Sequence, residues 1–332
     1  KPSSAASDVY KRQMLIRVFI RKLAGLVAFL LLASVLIFLI VDVLPGDPAA
    51  LMLGTDARPD TLQALRHQLG LDQPLVVQYL SWVIGLVHFN FGTSMTYATP
   101  VLTLIAERLP VSLPLAVMSL ALTAMIAIPL GALSAHHHGS TLDRAIKNAL
   151  QLALALPNIW LAILLIMIFA VGLHWLPAGG FAGWKSGIIA IKSLLLPVLA
   201  LAIPQAAILA RIVRAEIRDK AQENFVLGAR ARGLSEKDIL WYHILPNAML
   251  PVLSVMGLQF AFLIAGTVII ETVFSLPGLG RLIFQSITQR DLPVIKGVAM
   301  LLVGSVIIVN QAVDLLATLI DPRLRRQSGA SS

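Results

Sequence analysis

The side chains with reactive potential are few, and spacing disqualifies most of them. His136-His137-His138 is the one cluster of histidine, the commonest metal-binding side chain. Adjacent histidines on a loop make a poor chelating set, and the nearest carboxylate is Asp143, so a solvated loop is expected there. The stretch Gly179-Gly180-Phe181-Ala182-Gly183-Trp184-Lys185-Ser186 approaches the phosphate-cradling pattern G-x-x-x-x-G-K-[ST], but Trp184 stands where the final glycine is needed. Any nucleotide hydrolysis tied to this chain then belongs to another polypeptide. There is no cysteine, which removes disulfides, thiol nucleophiles and Cys-ligated metal centres. Neither G-x-S-x-G nor H-E-x-x-H occurs, so no hydrolase signature is present. Asp42 and Asp314 lie in or near apolar stretches. Asp42 is placed to reach interfacial water and Asp314 to hydrogen-bond a neighbouring helix, and with no paired intramembrane acids a proton relay is not indicated. The expectation is a chain without catalytic residues, metal or cofactor of its own.

What remains is residues 211–247, where apolar Phe225, Leu227 and Ala231 interleave with Arg230 and Arg232 ahead of Gly233. That pattern predicts a short amphipathic helix over about 222–233. Gly233 suits the left-handed residue that ends a helix, and Ser235 followed by Asp238 suits the cap of the next one. A short charged helix between two apolar spans gains nothing from lipid, since its polar groups need water or protein. Two uses stay open at this point, an interfacial or solvated loop and a docking knob for a partner.

The elements that hold this loop follow from composition. Of 332 residues, 58% are hydrophobic and 13% charged, and the mean hydropathy is +0.84. A soluble chain so apolar would expose large apolar patches, whereas a bilayer accepts them. The net charge of +9 is spread between apolar stretches rather than gathered on one polar face, which fits membrane topology and not nucleic-acid binding. A span needs about 20 apolar residues. Windows at 23–45, 111–135, 148–172, 188–210, 248–270 and 296–319 qualify, giving an all-α membrane protein of six transmembrane helices. Pro129, Pro197 and Pro204 fall inside spans, where neighbouring helices can re-satisfy the backbone. Alternating connections carry 18 Lys and Arg on one side and 8 on the other, which places both termini in the cytoplasm.

Residues 1–13 read as a disordered extension before Met14, and 14–45 as an interfacial segment with the first span. Residues 46–110 read as a periplasmic segment, with helical stretches near Pro59–Leu69 and Pro74–Phe89 forming an ordered extracytoplasmic cap. In the second stretch Val76, Leu80, Val83 and Val87 recur at helical spacing. A core of 111–322 and a cytoplasmic tail of 323–332 complete the division.

Gly233 and Leu245-Pro246 are spaced as in the loop that contacts the ATPase in binding-protein-dependent importers. Around them Ala229-Arg230-Ala231-Arg232-Gly233-Leu234, Asn247-Ala248-Met249-Leu250-Pro251, Gly257-Leu258-Gln259, Glu271-Thr272-Val273-Phe274, Pro277-Gly278-Leu279-Gly280-Arg281 and Arg290-Asp291-Leu292-Pro293 occur in order. Asn310, Val313-Asp314-Leu315-Leu316 and Asp321-Pro322-Arg323 follow. Near the start stand Leu44-Pro45-Gly46-Asp47-Pro48, Leu69-Gly70-Leu71-Asp72-Gln73-Pro74, Gln78-Tyr79 and Phe91-Gly92-Thr93-Ser94. In these motifs, from Met14 to Arg326, the chain resembles the dipeptide/oligopeptide/nickel permease family of ATP-binding-cassette importers, and in particular its first permease subunit. It departs from the general importer signature at Leu227-Gly228-Ala229, where Glu-Ala-Ala is typical, and at His243, where Ile is typical.

The resemblance implies a type I importer (MetI-like) permease fold. The ATPase-coupling residues it implies are Glu223, Asn224, Phe225, Ala229, Arg230, Ala231, Arg232, Gly233, Leu234, Leu245 and Pro246, with Glu223 in a capping or pairing role one turn upstream of the motif. Its implied partners are a second homologous permease subunit, ABC ATPase subunits that bind ATP and Mg, and a periplasmic substrate-binding protein. Its implied location is the bacterial inner membrane. The substrate class is peptide-like, with dipeptides, oligopeptides, nickel chelates, glutathione and opines all carried within the family. Small or polar Gln259, Gly266 and Thr267 are candidate pathway positions. The alternative is a secondary transporter, which would need coupling-ion groups at mid-membrane.

Overall fold

The computed structural model describes residues 4–42, 48–53, 58–68 and 70–320. The Leu44-Pro45-Gly46-Asp47 stretch, Leu69, Asp321-Pro322-Arg323 and the 323–332 tail lie outside the described residues, as do residues 1–3 and the side chains of Asp42 and Asp314. The chain forms α1 (Ser4–Asp42), α2 (Pro48–Leu53), α3 (Pro59–Gln68), α4 (Leu75–Val87), α5 (Val101–His136), α6 (Thr141–Ala155), α7 (Asn158–Leu165), α8 (Ile188–Lys220), α9 (Asn224–Ala231), α10 (Glu236–Asp238), α11 (Leu245–Val273), α12 (Leu279–Gln289) and α13 (Leu292–Ile320). Among the described residues no strand forms beyond an isolated bridge between Thr93 and Pro100. α1 begins at Ser4 and so takes in residues 4–13.

Among the described residues five helices are long and apolar enough to cross a membrane, and a sixth crossing requires α6 and the helix Asn158–Gly172 to count together. The window 148–172 is therefore not one straight helix, because these two pieces meet at 101°. Pro157 is the cause. It pushes Leu156 to φ −83° and ψ 121°, out of helical space. The second window is longer than its apolar core, running from Val101 through Pro110, Pro114 and Pro129. The fifth starts as early as Glu236 and widens into a π turn at Ile239–Ile244, just before Pro246, which has no N–H to give to an α-type ladder.

The chain divides into two compact units, 1–105 with 286–312, and 106–285 with 313–332. In the second unit one apolar cluster joins Leu115 of α5, Leu161 and Leu165 of α7, Leu194 and Leu201 of α8, and Leu263 and Ile270 of α11. Another joins Ala127 and Ala132 of α5, Ile146 and Leu150 of α6, Val213 and Ile217 of α8, and Val226 and Ala229 of α9. Close approach there depends on small residues. A Cβ on Gly131 would lie 2.7 Å from both the Ala210 carbonyl and the Val213 side chain, so α5 can touch α8 there only as glycine.

Two motifs scattered in sequence are explained by buried carboxylates. Within the second unit, Glu271 accepts from Ser112 Oγ at 2.5 Å and from the Arg281 N–H at 3.0 Å. Its carboxylate fills the space a Cβ on Gly278 would need, while a Cβ on Gly280 would strike the Val268 backbone. Within the first unit, Asp291 accepts from the Met95 and Thr96 N–H groups at 3.2 and 3.1 Å and from Ser94 Oγ. The Phe91-Gly92-Thr93-Ser94 and Arg290-Asp291-Leu292-Pro293 motifs are thus two halves of one clasp.

In α4 the bulky aromatic residues choose the inward face. Tyr79 and Trp82 both stack near Phe38 of α1, at centroid distances of 5.4 and 6.0 Å. The stripe noted at helical spacing points mostly outward: Val76 is 68% exposed and Val87 72%, with Leu80 exposed and only Val83 half-buried.

Candidate functional site

The loop between α8 and α11 is an ordered projection. The helix expected over about 222–233 is α9, Asn224–Ala231. It is held by Val226 and Ala229, both fully buried in the cluster with Ile217, Ile239 and Ile244, and by half-buried Phe225 and Leu245. The inward face is therefore Phe225-Val226-Ala229, not Phe225-Leu227-Ala231. Leu227 lies about 200° round the helix from Phe225 and is 60% exposed, and Ala231 is exposed too.

Gly233 has φ +77°, and nothing lies within 4 Å of where its Cβ would be. Its glycine is thus required by backbone conformation rather than by space. The Gly233 N–H reaches the Arg230 carbonyl at 2.9 Å and the Leu234 N–H the Ala229 carbonyl at 3.4 Å, which is the paired closure of a Schellman motif. Ser235 Oγ then accepts from the Asp238 N–H at 3.2 Å, as the Ser-x-x-Asp spacing predicts. Arg230 clamps the two short helices through a forked pair to Glu236, at 2.8 and 3.1 Å. Both partners are exposed, so the pair contributes orientation more than stability. Glu223 makes no side-chain cap of α9; it pairs with Lys220 at 2.6 Å. Arg232 donates back to the Gly228 carbonyl at 3.2 Å.

The outward surface joins Asn224, Leu227, Gly228, Ala231, Arg232 and Leu234, with exposed Pro246 beyond the π turn. Trp241 and Tyr242, the latter 75% exposed, extend it. Those two aromatics escaped the sequence reading, although an aromatic pair on the polar side of a span, ahead of Leu245-Pro246, was a usable sign. A rigid knob with apolar and aromatic tips ringed by Arg and Asn can seat in a groove of another protein. It holds no group arranged for bond-making.

Asp143 was also missed as a site residue. It is fully buried and accepts from Ser134 Oγ at 2.6 Å, from the Gly139 N–H at 3.0 Å, from Arg214 at 3.2 Å and from Lys147 at 3.1 Å. This hub ties the ends of α5, α6 and α8, against which α9 packs. Its signal was the spacing of Ser140 and Asp143, since Ser140 Oγ caps α6 through the Asp143 N–H at 3.2 Å. His136, His137 and His138 are exposed, and only His138 approaches Asp143, at 3.4 Å. Among the described residues no group of His, Cys, Asp and Glu is arranged to hold a metal.

The stretch around Gly179 ends in a single 3-10 turn, Trp184–Ser186, with the Trp184 indole donating to the Pro110 carbonyl at 2.8 Å. No phosphate cradle forms there. Of the pathway candidates, Gln259 is buried and donates to the Gln205 carbonyl of α8 at 2.9 Å. Thr267 is buried with its hydroxyl on the Ile264 carbonyl at 2.7 Å. Gly266 faces Leu201, which a Cβ would meet at 3.1 Å. All three thus sit on α11, and two of them meet α8.

Comparison with known proteins places this geometry. A family model described as the binding-protein-dependent transport system inner membrane component matches residues 127–326, and one for the N-terminal region of such membrane components matches 14–116. The chain is 39% identical to a putative peptide transport system permease protein of Brucella melitensis, over 94% of this chain and 99% of that protein. It is also 39% identical to the glutathione transport system permease protein GsiC of Escherichia coli K12, over 92% and 98% of the two chains. Among solved structures, an inward-facing MetNI methionine ABC transporter chain aligns with a TM-score of 0.54 at 19% identity, covering 66% of this chain and 96% of that one. At that identity the likeness concerns the fold.

Proposed function

The chain belongs to the binding-protein-dependent transport system inner membrane component family, and on that premise we propose that it carries peptides or similar small solutes across a bacterial inner membrane. It is a permease subunit of an ATP-binding-cassette importer, a transport component and not an enzyme. Peptide is favoured because relatives that align over nearly their whole length are named for peptide and glutathione transport.

The α9 knob is its coupling element. Glu223, Asn224, Phe225, Ala229, Arg230, Ala231, Arg232, Gly233, Leu234, Leu245 and Pro246 form the contact with a partner ATPase, or hold it in shape. That partner binds ATP and Mg; a second permease subunit completes the pathway, and a periplasmic binding protein delivers substrate. The observation that carries the reading is the combination of a buried Val226-Ala229 anchor with an exposed Leu227 on one short helix closed at its C-terminus by a Schellman motif. A solvated loop has no use for such rigidity or for an outward leucine.

Co-purification tests it. Leu227→Asp leaves the anchor untouched and should abolish ATPase association while the permease still inserts in the membrane. If Leu227→Asp and deletion of residues 224–233 both left association and uptake intact, the docking assignment would be wrong.

A further inference from the structure

α4 holds thirteen residues, Leu75–Val87, without a charge. Its inward side is settled by contacts with α1: the Tyr79 hydroxyl and Ser34 Oγ lie 2.9 Å apart, and Trp82 stacks near Phe38. Ser34 lies seven residues inside the end of the apolar span Leu23–Val41, or about 10 Å down the helix axis. α4 is therefore alongside the span, not above it. Its other face is an unbroken stripe of Val76, Leu80, Ile84 and Val87, all exposed. Gln78 does not soften that stripe, because its amide turns back to the Leu71 and Gln73 carbonyls at 3.3 and 2.8 Å.

An unbroken apolar face on a helix is covered by protein or by lipid, and three observations favour lipid. α1 itself exposes apolar side chains, Leu32, Leu36 and Ile40 among them, as a span against lipid does. Interfacial residues meet beside the middle of α4: Lys296 of α13 sits 4.3 Å from the Phe38 ring centroid and 6.0 Å from that of Trp82, as a belt of aromatics and a long cation does at a membrane surface. Beyond it, a cleft of about 470 Å³ opens between α1, α4 and α13, walled by Leu30, Leu31, Leu86, Val87, Leu301 and Ile308. Its two hydroxyls, Ser34 and Ser305, already donate to the Leu31 and Leu302 carbonyls at 2.7 Å. Such a cleft has nothing to offer a polar ligand.

We propose that α4 is a re-entrant helix seated in the bilayer leaflet at the C-terminal end of the first span, with its Val76-Leu80-Ile84-Val87 face and the adjoining cleft on lipid acyl chains. By the Lys and Arg asymmetry this is the outer leaflet. The segment expected to stand as an extracytoplasmic cap is then partly a membrane element, and the inference holds whatever the solute.

This chain has no cysteine, so with cysteine-free partner subunits each label reports one position. Leu80→Cys, Ile84→Cys, Ile308→Cys and, as a water control, Asp60→Cys are spin-labelled one at a time in the whole importer in phospholipid nanodiscs, using variants that retain uptake. Collision with oxygen and with a water-soluble nickel chelate is then measured. Acyl-chain contact requires high oxygen and low nickel accessibility at 80, 84 and 308, and the reverse at 60. High nickel accessibility at 80 and 84 would overturn the proposal in favour of an aqueous cap. Low accessibility to both would overturn it in favour of a covering protein subunit.

Discussion

Gly233 permits a quantitative test of the α9 knob, because its surroundings separate two reasons for being glycine. At φ +77° an L-residue costs about 1–2 kcal/mol, and no atom lies within 4 Å of the Cβ position, so steric cost within this chain is nil. If docking needs the Schellman-closed end, Gly233→Ala should weaken ATPase affinity by the corresponding factor, about 5- to 30-fold. Gly233→Asn should lose less, since asparagine tolerates the left-handed region. Gly233→Val should lose most, as a β-branched residue suits that region worst. The assay is titration of purified ATPase onto the permease complex in nanodiscs, with hydrogen exchange at the Gly233 and Leu234 amides reporting the closure itself. Equal losses of more than about 100-fold for Ala and Asn would refute the conformational reasoning, since only a partner pressed against Cα could exceed the backbone cost. Affinity unchanged in all three would refute the role of the cap.

The buried hubs allow further expectations. Asp143→Ala strands Arg214, which is only 18% exposed, together with the Ser134 hydroxyl and the Gly139 N–H, and should destabilise the protein by about 2–4 kcal/mol after allowance for the exposure of Lys147. Asp143→Asn, which keeps the shape, should cost less, and thermal unfolding in detergent will rank the two. Gly280→Ala drives a methyl into the Val268 backbone and should cost at least about 3 kcal/mol, read as loss of monodisperse protein. Ser94→Ala leaves Asp291 with its backbone donors and one lost hydroxyl, a cost of about 1–3 kcal/mol measurable by the same unfolding assay. Tyr242→Asp, on an exposed side chain, should change stability by less than about 0.5 kcal/mol while reducing ATPase association.

The six apolar windows were legible because a span announces itself by length, and five of them are helices of spanning length in the structure. The third is a pair of helices bent at Pro157, where apolar content hid a backbone constraint that the residue type itself states. Faces were harder than elements. In α9 and α4 the sequence offers apolar residues on more than one side, and membrane helices lose the contrast that tells inward from outward in water. Packing then decides by size: Tyr79 and Trp82 claim the inward face of α4, and compact Val226 and Ala229 claim that of α9. The caps were legible to the residue, in Gly233 and Ser235, because they depend on neighbours in sequence. The carboxylate hubs were not, since Asp143 and Arg214, like Ser94 and Asp291, meet only after folding.

Those hubs bear on how a push on α9 would be transmitted. Val226 and Ala229 share one close-packed cluster with Val213 and Ile217 of α8, Ile146 of α6 and Ala248 of α11. An interior of that density moves as a block rather than yielding residue by residue. Asp143 adds charge-assisted bonds across the ends of α5, α6 and α8 in that cluster. At the opposite end of α11, Glu271 is fastened to Ser112 of α5 and to the first turn of α12. α11 therefore runs from the seat of the knob to a second clasp within one unit. The bend at Pro157 and the prolines inside α5, α8 and α11 are where such a block has weakened backbone bonding. A partner that displaced α9 would drag the ends of α8 and α11 together, so the deformation should fall at these prolines rather than at the docking loop.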